Sequence, residues 1–459
     1  MTDQPPEQIR VLHIVLLLVA LGSRAVLFLS QGGVLWPDSL AYLEWARRIA
    51  SHGDFAYHPV YRTPGYSTFL ALFLLAGSTP SIGKAIVAVQ YLLGVGSALL
   101  VFAIAQRLTS HRAAFVAALV FAIHPLELYY ETVIQSEALF VPTLLLLIYC
   151  AIRSLEEPSV VAFGTLGALS AGVTLVRPLA QMLILIMLAF YCFRPAPQLS
   201  RRIAAATLLG SYVLFLLPWL VSNQLNYHFF GMTKDIGLNA FHRTFDGDGL
   251  APSGDEFAEL RAIAEREKEK GKQAYFTVVS RMRKDDLSYQ EIDRAMLKFA
   301  TSAIREHPLP YLRNSAEYFL SFFLWPYDSV TFSTKTSPAF LTSPQGAWIR
   351  SPEFPNQPDK DVPALRSLVE KYYAIFPIRP WLISAFAAVG ALVGARRSGA
   401  VSLHLFLATV AAYFALLVSV FNKPEDRFFL PILPLLLILA AACFGGSSVR
   451  SSKSGDTPG

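Results

Sequence analysis

Charge and cysteine are both scarce in this chain, and each shortage excludes something. Only 16% of the 459 residues are charged, against about a quarter in soluble domains. Apolar residues make up 54%, and the mean hydropathy is +0.43. That balance excludes an ordinary soluble enzyme; apolar runs near the ~20 residues that cross a bilayer recur instead. The three cysteines, Cys150, Cys192 and Cys443, all fall in such runs. The polar regions therefore have no disulfide available, even in an oxidising compartment. No internal repeat, low-complexity tract or glycine-rich nucleotide loop is present. The net charge of +6 comes from scattered arginines near the apolar runs, which meet anionic head groups. Without a basic stripe carrying interleaved aromatics, it gives no reason to expect nucleic acid as a partner.

What is present is an all-α polytopic pattern. Spans are expected at about 11–30, 84–106, 113–130, 137–153, 160–176, 178–193, 203–222, 378–395, 401–421 and 428–446, about ten in all. With the N-terminus inside, the inner segments carry Arg10, then Arg107 and Arg112, then Arg153, then Arg194, Arg201 and Arg202, then Arg396 and Arg397, then Arg450 and Lys453. Every inner segment is thus basic, as the positive-inside rule requires, and the outer connection 124–136 has no Lys or Arg. The first span has the length of a full crossing with no small-residue cleavage site after it, so a retained anchor is expected. The organisation that follows is a membrane domain in two parts, 1–222 and 378–459, with an outer insert at 223–377 between them. By the same parity, 311–326 is expected as an amphipathic surface helix.

Within the insert, 255–272 reads as a solvated helix, and Ser288-Tyr289-Gln290-Glu291 as a capping box opening another that ends near His307-Pro308. The stretch 331–363, with Pro352, Pro355, Pro358 and Pro363, reads as a loop. The first outer loop, 31–83, carries more structure than a connector needs. Leu40, Leu43, Ala46, Arg47 and Ala50 keep helical spacing, with Pro37 in the first turn and Gly53 at the end. A second helix is expected from Pro64 through Leu75. Such helices would lie in the interface, with Trp36, Trp45, Tyr57, Tyr61 and Tyr66 at head-group depth.

Ionisable side chains in or beside spans are costly, about 2.5–3.5 kcal/mol each at the centre on insertion scales, and so invite a functional account. They gather here at the outer ends: Asp38 and Arg62 on loop 31–83; His124, Glu127, Glu131 and Glu137 from span three into span four; Arg177 before Pro178; and Glu425, Asp426 and Arg427 before the last span. Each has a plain alternative. Asp38 would complement a helix dipole, Arg62 and Arg427 would snorkel to head groups, and Arg177 would close a turn or pair with a glutamate. His124, Glu127 and Glu131 read more readily as a solvated outer turn than as metal ligands. A transporter would place such groups near the midplane, whereas an enzyme of the outer leaflet would place them as found.

Taken in order, Asp38 with Tyr42, Ala46 and Gly53, then Tyr61-Arg62-Thr63-Pro64-Gly65-Tyr66, Ser136-Glu137-Ala138-Leu139, Arg177-Pro178, Pro218-Trp219-Leu220-Val221-Ser222-Asn223, Glu306-His307-Pro308 with Tyr311, and Pro424-Glu425-Asp426-Arg427-Phe428-Phe429-Leu430-Pro431 form a series. The series resembles the GT-C fold glycosyltransferases that use polyprenyl-phosphate sugars. Within them it is most similar to the dolichyl-phosphate-mannose protein mannosyltransferase superfamily in its bacterial branch, which includes the aminoarabinose and galacturonic acid transferases of lipopolysaccharide. The resemblance implies a multi-pass enzyme of the bacterial inner membrane with its site on the periplasmic face. It implies Asp38 as catalytic carboxylate, Glu137 as a second one, and Arg62 and Arg427, with Arg177 as a weaker candidate, on the donor phosphate. His124, Glu127 and Glu131 remain candidates for acceptor or metal contact. No cofactor is required, although a divalent cation held by Glu137 with Glu127 or His124 is an alternative. The implied partners are the lipid-linked donor, membrane lipid, and an envelope lipid, glycan or protein acceptor. The rivals are a flippase for lipid-linked sugars, which predicts ionisable residues at mid-span and paired broken helices, and an O-antigen-type polymerase or ligase, which gives no reason for the Asp38 to Arg62 loop.

Overall fold

The computed structural model describes residues 6–30, 35, 37–56, 61–75, 82–193, 199–269, 274, 278–279, 282, 287–324, 380–398, 403–422 and 425–444. Among them the extended regular elements are all helical. In chain order the α-helices are α1 (Pro6–Ser30), α2 (Pro37–His52), α3 (Pro64–Leu74), α4 (Ile82–Ala105), α5 (His111–Ala122), α6 (Pro125–Thr132), α7 (Glu137–Glu156), α8 (Val160–Val176), α9 (Leu183–Phe193) and α10 (Arg201–Tyr227). There follow α11 (Ile236–Phe241), α12 (Ala258–Glu269), α13 (Tyr289–Glu306), α14 (Pro308–Leu324), α15 (Pro380–Ser398), α16 (Leu403–Phe421), α17 (Asp426–Phe429) and α18 (Leu433–Cys443). A π-helical turn, His242–Gly247, continues α11.

Local chemistry sets many of these boundaries. The Ser110 and Ser159 side chains accept from Ala113 N and Ala162 N at the starts of α5 and α8. The box at Ser288 and Glu291 opens α13 as its spacing predicts. Pro64 and Pro125 occupy first turns, where a missing N–H costs nothing. Gly53 follows α2 with φ +64°, the left-handed geometry that glycine adopts freely.

Five helices are long and apolar enough to cross a bilayer: 7–29, 82–105, 137–156, 201–227 and 403–421. The helices α5 and α6 together make a sixth, broken by 47°. Shorter apolar helices, 160–176, 178–193, 381–396 and 433–443, lie where the other four spans are expected. Leu18, Val26 and Leu29 on α1, and Val213, Leu214 and Leu225 on α10, point outward, as they must where lipid is the solvent. The chain is a multi-pass membrane protein. Its helices approach closely at small residues: a Cβ on Gly167 of α8 would strike the Leu208 carbonyl of α10, and one on Gly390 of α15 the Leu439 carbonyl of α18. Arg107 after α4 and Arg153 of α7 both pair with Glu156, so α4 and α7 run side by side in the same direction.

The helix α10 continues to Tyr227, five residues beyond the 222 boundary. The residues after it build a second core from Leu238, Phe241, Phe245, Ile292, Met296 and Phe299. Beyond it, α14 joins the membrane bundle through Tyr311, whose hydroxyl donates to Val420 O at 2.5 Å. The loop expected at 331–363 lies outside the described residues. Trp45 and Tyr66 are fully buried against protein and so do not present their rings to the surroundings as an aromatic belt would. Trp45 packs on Trp219 at 5.9 Å between ring centroids, and the Tyr66 hydroxyl donates to Gln90 Oε1 at 2.6 Å. Burying these rings gives α2 and α3 protein partners. Trp36 and Tyr57 lie outside the described residues.

Candidate active site

The first turn of α2 carries Asp38, and the segment before α3 carries Arg62. The latter segment is docked firmly. Thr63 Oγ1 donates to Val176 O at 3.4 Å, and Gly65 lies so close to the end of α8 that a Cβ would sit 2.6 Å from Leu175 O. The last turn of α8 thus fixes both Arg62 and the adjoining Arg177. At the other end of the chain, α17 presents Arg427.

The three elements converge on one carboxylate. Arg62 Nη2 donates to Asp38 Oδ1 at 2.7 Å, and Arg427 Nη1 donates to Asp38 Oδ2 at 3.1 Å. Arg427 Nε lies 2.7 Å from a Glu425 carboxylate oxygen in a second ion pair. The Arg62 guanidinium lies over the Tyr42 ring at 4.3 Å and near the Tyr61 ring at 5.3 Å. Both are cation–π distances. Burial pushes the Asp38 carboxyl upward, but Arg62 and Arg427 outweigh it and hold its pKa at about 2. The side chain is still 39% exposed, so the carboxylate is reachable from outside and water softens the pull of the arginines.

A second pair adjoins the first. Arg177 Nη1 donates to Glu137 Oε1 at 2.5 Å. Glu137, which opens α7, is only 2% exposed. Ser136 Oγ donates to Glu137 Oε2 at 3.3 Å and accepts from the Tyr42 hydroxyl at 3.3 Å. Tyr42 therefore touches both pairs, its ring under Arg62 and its hydroxyl on Ser136. Phe428, beside Arg427, also lies 5.6 Å from the Arg177 guanidinium. Asp38, Arg62, Arg427, Glu137 and Arg177 are thus gathered in one place, with Arg177 entering through Glu137.

His124, Glu127 and Glu131 are not a solvated outer turn. All three are buried. The reason is local. Pro125 cannot continue the ladder of α5, His124 goes to extended geometry at ψ 124°, and the 47° break turns α6 back into the bundle. There Glu131 meets Arg24 of α1, with Arg24 Nη2 to Glu131 Oε1 at 2.6 Å and both side chains 2% exposed. Arg24 also donates to Ala122 O at 2.7 Å. His124 Nδ1 accepts from Leu126 N at 3.3 Å. Glu137 is paired with Arg177, and among the described residues no group of three His, Cys, Asp or Glu side chains is placed to hold a metal ion.

Residue-by-residue reading passes over Arg24, although an arginine inside a span is itself a signal. It also passes over Gln90, whose Nε2 donates to Glu131 O at 2.7 Å and Val133 O at 3.0 Å. Gln90 ties Tyr66, and with it the Arg62 segment, to α6. In the insert, Arg243 is fully buried against Asp248, with Tyr318 at 4.3 Å. Asp246-Gly247-Asp248 is an Asp-x-Asp triplet, a pattern suited to a nucleotide sugar's cation, but its carboxylates are occupied. Asp246 meets His242 Nδ1 at 2.9 Å and Ala274 N at 2.8 Å, and Asp248 meets Arg243.

The helical bundle has the fold of the GT-C membrane proteins, as comparison with known proteins shows. Residues 58–221 match the family described as dolichyl-phosphate-mannose-protein mannosyltransferase. The chain is similar to the apo oligosaccharyltransferase of Archaeoglobus fulgidus, with a TM-score of 0.51 and 12% identity over 96% of this chain and 51% of that one. It is also similar to ArnT from Cupriavidus metallidurans bound to undecaprenyl phosphate, with a TM-score of 0.49 and 14% identity over 94% of this chain and 59% of that one. For AglB from A. fulgidus in complex with an inhibitory peptide and a dolichol-phosphate, the TM-score is 0.49 and the identity 13%, over 94% of this chain and 50% of that one. No curated protein matches. The chain spans 50–59% of the length of these three structures, and the likeness is one of fold.

Proposed function

We propose that this protein is an integral membrane glycosyltransferase that moves a sugar from a polyprenyl-phosphate donor to an acceptor hydroxyl at the outer face of the cytoplasmic membrane, with inversion at C1. The observation that carries the proposal is the Asp38 carboxylate shared between Arg62 at 2.7 Å and Arg427 at 3.1 Å. One carboxylate and two permanent cations within hydrogen-bond distance of each other support a base and a phosphate clamp at a single site.

A sugar joined through C1 to a lipid phosphate has a good leaving group, so its departing charge needs stabilising more than protonating. Guanidinium groups suit that task, being always charged and presenting a planar fork to phosphate. The acceptor hydroxyl is weakly nucleophilic and needs a carboxylate within about 2.6–3.2 Å to take its proton. As the acceptor oxygen bonds to C1, the C1–O bond to phosphate breaks, and its electron pair leaves with the polyprenyl phosphate. The proton passes to Asp38. Arg62 and Arg427 receive the phosphate, while Glu137, buried and paired with Arg177, holds that arginine beside them. No step is assigned to a metal ion. ArnT in complex with undecaprenyl phosphate and AglB in complex with dolichol-phosphate are consistent with a lipid-phosphate donor here.

The test incubates purified protein with defined polyprenyl-phosphate sugars and crude envelope acceptors and follows label transfer. Asp38→Asn should lose at least about a hundredfold in rate, within the span given for general base catalysis. Transfer at the wild-type rate by that variant would remove Asp38 as the base.

A further inference from the structure

We propose that Asp38 holds the donor phosphate's place between Arg62 and Arg427, and that exchange of one anion for the other frees Asp38 to act as a base. The inference rests on the donor class proposed above. Its starting point is that the carboxylate's two oxygens each receive one N–H, from Arg62 on Oδ1 and from Arg427 on Oδ2. A phosphodiester offers two free oxygens on one anion and asks for the same donors. Base and phosphate clamp therefore cannot both be at work in the arrangement seen.

Each cation has a second anchor that survives loss of Asp38. Arg427 keeps Glu425 on its Nε at 2.7 Å. Arg62 keeps Tyr42 beneath its plane at 4.3 Å, and its buried Nε has no hydrogen-bond acceptor among the described residues, so one further donor is unused. Glu425 and Tyr42 are thus positioning residues that hold the clamp while its anion changes. Glu137 is unsuited to the exchange, being closed off against Arg177, whereas Asp38 is the exposed carboxylate.

Charge sets the consequence. Asp38, Glu137 and Glu425 balance Arg62, Arg177 and Arg427 in the site as it stands. A phosphodiester adds one negative charge, and the carboxylate that gives up its arginines becomes the favoured resting place for a proton. While both arginines hold it, Asp38 is a poor base; released, it is governed by burial, which pushes its pKa up. Donor binding therefore precedes and enables activation of the acceptor hydroxyl.

The experiment measures binding of a radiolabelled polyprenyl-phosphate sugar, without acceptor, to the full chain in detergent, for wild type, Asp38→Asn and Asp38→Glu. If the carboxylate competes for the arginines, Asp38→Asn binds about tenfold more tightly while failing to transfer, since a like charge has left both guanidinium groups. Asp38→Glu stays within about twofold of wild type, because the competing charge remains. Equal or weaker binding by Asp38→Asn overturns the exchange and leaves the transferase proposal standing. Absence of binding by every form, wild type included, overturns both. Should Asp38→Asn fail to elute as a folded species, Asp38→Ser is read in the same way.

Discussion

Gly94→Ala should destabilise the protein through a clash with a buried ion pair. Gly94 lies on α4 against Glu131, and a Cβ built there falls inside van der Waals reach of the whole carboxylate, with Oε2 at 2.6 Å. Glu131 has nowhere else to go while it pairs with Arg24, both side chains being 2% exposed. Breaking a buried ion pair on one side costs about 3–5 kcal/mol, because the other charge is stranded. Replacing glycine by alanine inside a helix returns about 1 kcal/mol. The net expectation is a loss of about 2–4 kcal/mol, read as a lower Tm in detergent. Gly96→Ala is the control on the same helix, since a Cβ there meets nothing within 4 Å; it should be neutral or stabilising by up to about 1 kcal/mol. The clash needs the carboxylate, so Gly94→Ala added to Glu131→Ala should cost far less than Gly94→Ala alone. Additive losses, or a Gly94→Ala protein as stable as Gly96→Ala, would refute the packing account. Because Gln90 links Glu131 O to Tyr66, Gly94→Ala should also lower transfer activity.

Gly65→Ala should weaken donor binding without abolishing folding, because a Cβ 2.6 Å from Leu175 O pushes α3 off α8 and carries Arg62 with it; Gly22→Ala, with open space around it, should do neither. Arg62→Ala should lose about tenfold to a hundredfold in donor affinity, the range of one charged hydrogen bond. Arg62→Lys should recover only part of that loss, since an ammonium keeps the charge and loses the planar fork over Tyr42; equal affinity for Arg and Lys would remove the stacking argument. In the insert, burial pushes the Asp235 carboxyl up to about 6 despite bonds from Thr233 and Asn239. Its folded form holds a proton that the unfolded chain releases near 3.8, so stability is greatest below that value and falls as pH rises toward 6. Amide exchange in 236–241 should quicken between pH 4 and 6.5 beyond the intrinsic rate, and Asp235→Asn should flatten that dependence.

Much of the helical layout was legible because its causes are local. The apolar runs, the first turn at Pro37, the box at Ser288 and the stop at Gly53 are short-range features, and each reappears as a helix or a cap. Boundaries moved where tertiary contact rewards continuation, as at α10, whose last turn reaches Tyr227 beneath the insert. The protein partners of the aromatic side chains were not legible. Trp45 and Tyr66 have the composition of an interfacial belt, and only the partners Trp219 and Gln90 make them interior.

The order of the motifs alone established a multi-pass helical protein with its unusual charges at one end of the bundle, because hydropathy and charge placement are properties of the chain read in one dimension. Which charges meet was decided by tertiary structure. Asp38 and Arg427 are 389 residues apart in sequence, and Arg24 reaches Glu131 across 107. His124, Glu127 and Glu131 look like a wet turn until the break at Pro125 folds them inward. Burial of a charge depends on a partner brought by another helix, and no spacing along one segment specifies that partner.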